Sequence, residues 1–215
     1  MAVFDSATGW GWPTRLLHWV MAALIAGMLA LGFYSAEIEA DVYARFELAQ
    51  LHKSWGFVVF SLALARIAWR LAAGRAPAPP PRMGARERRA ARAAHLALYA
   101  LMIAMPLTGW LLASASPLQD SFGIRNMVFG LFELPDPFVP GGEALERSLR
   151  SIHFWLGAGL TALLALHAGA ALRHHFVMRD AVLTRMIAGG ADGTADEAAV
   201  GAAPRARGAA GKDRL

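Results

Sequence analysis

Runs of apolar positions long enough to cross a bilayer alternate along this chain with short charged connections. Leu16 to Ala36 contains no Asp, Glu, Lys or Arg, and neither does Ala93 to Gln119 or Ser151 to Leu172. About 20 apolar residues carry a helix across the hydrocarbon core, so these runs predict three spans. A fourth is less clean. Only Ser54 to Ala65 separate Lys53 from Arg66, and a span from about Leu48 to Leu71 requires Lys53, Arg66 and Arg70 to snorkel or to face protein. The expected helices cover about 14–36, 48–71, 93–114 and 150–172, inside a transmembrane domain of residues 1–187. A Gly/Ala-rich tail, 188–215, is expected to be disordered.

The connections alternate in charge. Glu37, Glu39, Asp41 and Glu47 outweigh Arg45 in the first, whereas Arg75, Arg82, Arg86, Arg88, Arg89 and Arg92 face a single Glu87 in the second. The third is acidic on balance, and the segment after the last span restarts with Arg173, Arg179 and Arg185. Lys and Arg accumulate on the cytoplasmic side, so the pattern predicts an all-α, integral membrane four-helix bundle with both termini cytoplasmic. Tryptophans near the span ends, among them Trp12, Trp55, Trp110 and Trp155, fit interfacial positions. The apolar start of the chain lacks a basic n-region and is long enough to span, so the first helix is expected to be retained rather than cleaved. Ala76 to Arg82 reads as a stiff proline-rich linker. In the long third connection, the partly apolar SFGIRNMVFGLFELP predicts a short helix on the outer surface.

Composition narrows the class. Hydrophobic residues make up 56% and charged residues 17%, which removes ordinary soluble and disordered chains. The net charge of +5 is explained by orientation in the membrane and contact with anionic lipid headgroups, so no nucleic-acid partner is expected. The absence of cysteine excludes disulfides, thiolate metal sites, covalently attached haem and a cysteine nucleophile. No phosphate-binding glycine loop and no hydrolase motif is present.

Candidate chemistry rests on histidine. Of the seven, five lie in or beside the expected spans, where ionisable residues are functional hypotheses. His153 and His167 share one helix fourteen residues apart, so they sit on nearly one face at depths about 21 Å apart. With the predicted topology, His52 and His153 both enter their spans from the outside, while His18 and His167 lie near the cytoplasmic face. Two cross-helix pairs at two depths are what two six-coordinate b-type haems require: a neutral imidazole on each axial position and an apolar slot for the ring. His95, on the cytoplasmic side, is assigned to propionate or quinone contact or to packing. His174 and His175 are read as solvated interface residues. Arg15, Arg66, Arg70 and Arg173 are placed to neutralise haem propionates, or only obey the charge rule.

The four segments WPTRLLHWVMAALIAGMLAL, HKSWGFVVFSLALARIAWRL, HLALYALMIAMPLTGWLL and HFWLGAGLTALLALHAGAALRHHFVMRDAVLTRM, taken in order, resemble the bacterial cytochrome b561 family. The R-x-x-H-W start, the H-K-S-x-G entry to the second span and the LHAGAALRHHF ending carry the likeness together. The resemblance implies a multi-pass protein of the bacterial inner membrane with two non-covalent b haems. His18 and His167 would be the axial ligands of the cytoplasmic haem iron, and His52 and His153 those of the periplasmic one. It further implies electron transfer between the quinone pool and a periplasmic or membrane redox partner. Some members resemble superoxide:ubiquinone oxidoreductases. Lys53, beside His52 and the only lysine before Lys212, is the candidate to attract superoxide, or simply anchors its helix. The alternatives are a haem-bearing membrane anchor for a dehydrogenase or hydrogenase, and a metal-ion transporter or haem-free module.

Overall fold

The computed structural model describes residues 2–117, 124–137 and 142–190. Four long helices dominate it: α1 (Trp12–Phe33), α2 (Val42–Ala72), α3 (Ala85–Ser114) and α4 (Gly142–Arg173). A π-helical turn extends α1 to Ile38 and another extends α4 to Met178. All four are long and apolar enough to cross a membrane. Local signals set their starts. Pro13 occupies the first turn of α1, where its missing N–H costs nothing. Asp41 caps α2 by accepting from the Ala44 N–H at 2.8 Å. The second span, the least clean by composition, is an unbroken helix.

The helices pack in chain order, α1 on α2, α2 on α3 and α3 on α4. A core of Met21, Ile25, Val59, Ala63, Met102 and Leu160 sits at mid-depth. One residue from each helix in that core is flanked, seven positions away on either side, by residues of a different kind. The ladders are His18, Ile25, Gly32 on α1; His52, Val59, Arg66 on α2; His95, Met102, Gly109 on α3; and His153, Leu160, His167 on α4. Seven residues make nearly two turns, so each ladder stays on one face. The middle rungs are closed, with Ile25, Val59, Met102 and Leu160 between 4% and 8% exposed. At the end rungs the His and Arg side chains are only half-buried, and His95 is more open still.

The chain's two described ends meet at one end of the bundle, here the proximal end. A short helix, α5 (Val182–Ala188), lies there. The Arg15 guanidinium donates to the Ile187 carbonyl at 2.8 Å and the Trp19 indole N–H to the Met186 carbonyl at 3.0 Å. Beside them the N-terminal segment is held by Asp5, whose buried carboxylate accepts from the Gly11 N–H and the Thr14 hydroxyl and lies 3.6 Å from Arg70. Thr14 in turn accepts from the Trp69 indole. The two segments wall the proximal end.

At the distal end the connection differs from the expected surface helix. Its described part, 124–137, forms a hairpin in which β1 (Met127–Val128) pairs antiparallel with β2 (Phe132–Glu133). Phe129 and Gly130 both have positive φ, 48° and 71°, and the Leu131 N–H closes on the Val128 carbonyl. This is the primed turn that matches strand twist, and glycine supplies it. The hairpin is tied down by the Phe129 N–H donating to Ser54 Oγ and by the Trp110 indole donating to the Pro135 carbonyl. The expected tail lies, from residue 191 onward, outside the described residues.

Candidate functional site

The ladders bring the predicted histidines together at two levels. At the proximal level the ring centres of His18 and His167 stand 6.3 Å apart, and at the distal level those of His52 and His153 stand 6.4 Å apart. Metal–imidazole bonds of about 2 Å on both sides of one ion place two ring centres about 6 Å apart, and both pairs meet that spacing. Each pair also holds a ring nitrogen, Nδ1 of His18 and of His52, that is shut from solvent with no hydrogen-bond partner.

Space around the rings is built by glycine. A Cβ at Gly32 would lie 3.0 Å from His52 Cε1, and one at Gly109 would lie 3.2 Å from His153 Cε1. The distal level is thus two imidazoles, from α2 and α4, backed by two bare backbone positions, from α1 and α3. His153 is further fixed by Thr108. The Thr108 hydroxyl donates to the Met105 carbonyl at 2.9 Å, so its oxygen accepts from Nδ1 of His153 at 3.0 Å. That leaves the lone pair on Nε2, the nitrogen needed for ligation.

The proximal level is cationic. Arg66 interacts electrostatically with His18, His95 and His167. Its Nη1 is buried without a hydrogen-bond partner, and its guanidinium lies 6.0 Å from the Tyr99 ring centre. A small recess beside it is lined by Thr14, Leu17, Trp69, Arg70 and Tyr99. His95 stands 5.3 Å from His167, ring centre to ring centre, so it belongs to this level. Arg15, Arg70 and Arg173 each have a further partner, the Ile187 carbonyl, Asp5 and Glu87 in turn. Among the described residues, no cluster of three or more His, Asp or Glu side chains is arranged to hold a bare metal ion.

Lys53 lies at the distal end, half-buried under the hairpin. Its Nζ donates to Asn126 Oδ1 at 3.2 Å, and the Asn126 amide donates to Asp136 Oδ1 at 2.6 Å. Asp136 also accepts from the Ser114 hydroxyl. The predicted lone cation is therefore partnered through this chain.

One reading needs correction. His174 is buried at 5% exposure rather than solvated. Its Nδ1 lies 2.5 Å from Asp180 and its Nε2 3.5 Å from Glu87. The π-helical turn and the left-handed Arg179 (φ 53°) fold the chain back so that Asp180 reaches the ring. The signal was its spacing, seven positions beyond His167 on the inward face. His175, by contrast, is half-buried against Phe176. Thr108, Gly32 and Gly109 were missed because their partners come from other helices.

A model of the prokaryotic cytochrome b561 family matches residues 9–189. Cytochrome b561 homolog 2 of Escherichia coli (strain K12) is 31% identical over 187 residues, covering 87% of this chain and 95% of its own length. Cytochrome b561 homolog 1 of the same organism is 30% identical over 178 residues, 80% of this chain and 92% of its own length. A protein named probable superoxide oxidase CybB, from Yersinia pestis, is 27% identical over 179 residues, 80% of this chain and 91% of its own length.

Proposed function

The chain belongs to the prokaryotic cytochrome b561 family of membrane-bound, haem b-binding electron carriers, and on that footing we propose that it holds two b haems and passes electrons from superoxide, outside, to a quinone near the cytoplasmic face. The observation that carries this reading is the pair of facing imidazoles at each of two levels, 6.3 and 6.4 Å between ring centres. His52 and His153 hold the distal haem, and His18 and His167 the proximal one. Haem bound between two imidazoles supplies a one-electron carrier with no open coordination position.

The protein's own residues do the rest. Thr108 keeps His153 in the tautomer whose Nε2 is free to ligate. Gly32 and Gly109 keep side chains away from the distal rings. Ile25, Val59, Met102 and Leu160 form an apolar layer between the levels. Arg66 offers a half-buried positive charge to a propionate or to a reduced quinone oxygen, with His95 beside it and Arg15 at the edge of the same level. Lys53 provides positive charge near the distal level, tempered by Asp136. The Arg-rich second connection supports a cytoplasmic proximal end, since Lys and Arg accumulate on that side. The N-terminal segment and α5 wall that end, which favours an acceptor arriving through the lipid over a soluble one.

The balanced reaction is two superoxide anions giving two dioxygen molecules, with two electrons and two protons converting quinone to quinol. The supporting name among the relatives is the probable superoxide oxidase of Yersinia pestis. The test is to supply the purified protein with a superoxide source and decylubiquinone and to follow quinol formation. Quinol that appears only with both substrates and with haem-loaded protein supports the reading; superoxide decay without quinol rejects the quinone half.

A further inference from the structure

The proximal end poses a chemical problem: a quinone reduced there needs protons on its oxygens, and the N-terminal segment and α5 pack over the helix ends on the cytoplasmic approach. The α4 ladder carries one more rung than the others. After His153, Leu160 and His167 comes His174, buried at 5% exposure and about 10 Å along the axis from His167. It is the one buried imidazole beyond the two levels among the described residues.

His174 sits between two carboxylates from different elements. Asp180, in the turn before α5, lies 2.5 Å from Nδ1. Glu87, in the first turn of α3, lies 3.5 Å from Nε2. Glu87 also accepts from Arg173 at 2.9 Å and is one-third exposed, so it reaches solvent. The other charged neighbours point away: Arg185 donates to the Ala78 carbonyl, and the His175 ring lies against Phe176. Ala170 and Ala171 separate the two rungs, so α4 places no bulky side chain between His174 and His167.

We propose that Glu87, His174 and Asp180 form the proton entry for quinone reduction at the proximal level. Glu87 collects a proton from water and gives it to Nε2 of His174, while Nδ1 releases its own proton to Asp180, which passes it to the quinone oxygen; turnover is completed as the ring returns to its starting tautomer. Asp180 also stabilises the ring while both nitrogens carry protons. Each quinone carbonyl oxygen ends as a hydroxyl, and the two electrons arrive one at a time from the haems. The inference rests on the quinone reading above.

The test uses the intact haem-loaded protein, reduced in advance and mixed with decylubiquinone or with ferricyanide, an acceptor that takes an electron and no proton. Haem reoxidation is followed optically and proton uptake by a pH-indicator dye. In His174→Ala and Glu87→Gln, reoxidation by decylubiquinone should slow by about tenfold or more, together with proton uptake. Reoxidation by ferricyanide should be unchanged, and buffer imidazole should restore His174→Ala. Equal slowing with both acceptors, or full quinone rates in both variants, overturns the proposal. If His174→Ala loses haem, Glu87→Gln decides alone, since its side chain is at the surface. If the unsubstituted protein is not reoxidised by decylubiquinone at all, the quinone reading fails and the proton entry with it.

Discussion

Nδ1 of His153 lies 3.0 Å from the Thr108 oxygen, which itself donates to the Met105 carbonyl. The arrangement leaves one tautomer for the imidazole and aims its lone pair away from α3. Thr108→Val keeps the shape and removes the acceptor. Outer-shell partners of this kind are worth about tenfold to a hundredfold in affinity, so distal haem should be lost first when Thr108→Val is titrated out by apo-myoglobin. Equal retention in the variant and the parent would show that the bond does not orient the ring.

Gly32 and Gly109 should tolerate no branched side chain. A Cβ already approaches the histidine rings to 3.0 and 3.2 Å, and valine adds two methyls to it. Gly32→Val and Gly109→Val should each retain about one haem in place of two when haem is quantified per protein, with the proximal spectrum unchanged. Two haems in both variants would remove the argument from close approach.

Arg66 is the half-buried positive charge of the proximal level, with its Nη1 shut from solvent. Replacing it by methionine keeps the stem and removes a charge that favours the reduced, less positive haem. The proximal midpoint potential should fall by tens of millivolts, on the order expected for one partly screened charge, while the distal potential holds. Spectroelectrochemistry resolves the two. A shift confined to the distal haem, or none, would place Arg66 elsewhere in the account.

Lys53 and Asp136 should act in opposite directions on superoxide. Lys53→Gln removes a cation near the distal level and slows the reaction, whereas Asp136→Asn leaves the cation unbalanced and speeds it. Both effects should shrink with added salt, because steering is screened. Stopped-flow rates at two ionic strengths check this. Full reactivity in Lys53→Glu would end the steering idea.

Most of the bundle's architecture was legible in the chain, for a physical reason. Depth in a membrane is written in charge and hydropathy, so four spans and the levels of His18, His52, His153 and His167 follow from counting. What depends on a neighbour from another helix is not written that way. Gly32 is one glycine among 21 until His52 of α2 is placed against it. Thr108 is an ordinary helical threonine until His153 of α4 arrives. His174 looked solvated because it follows Arg173 at the membrane edge, and only the folding back of Asp180 buries it. The outer connection misled because its apolar content suggested a helix, while Phe129 and Gly130 make the turn of a hairpin.

The central claim is that the four ladder histidines hold two haems in the pairs His18 with His167 and His52 with His153. The direct measurement is haem per protein in the purified parent beside His18→Ala, His167→Ala, His52→Ala and His153→Ala, with reduced-minus-oxidised spectra. The account predicts two haems in the parent and about one in each variant. His18→Ala and His167→Ala should leave one common spectrum, and His52→Ala and His153→Ala the other. A single haem in the parent, or spectra that group the variants in any other way, would contradict it.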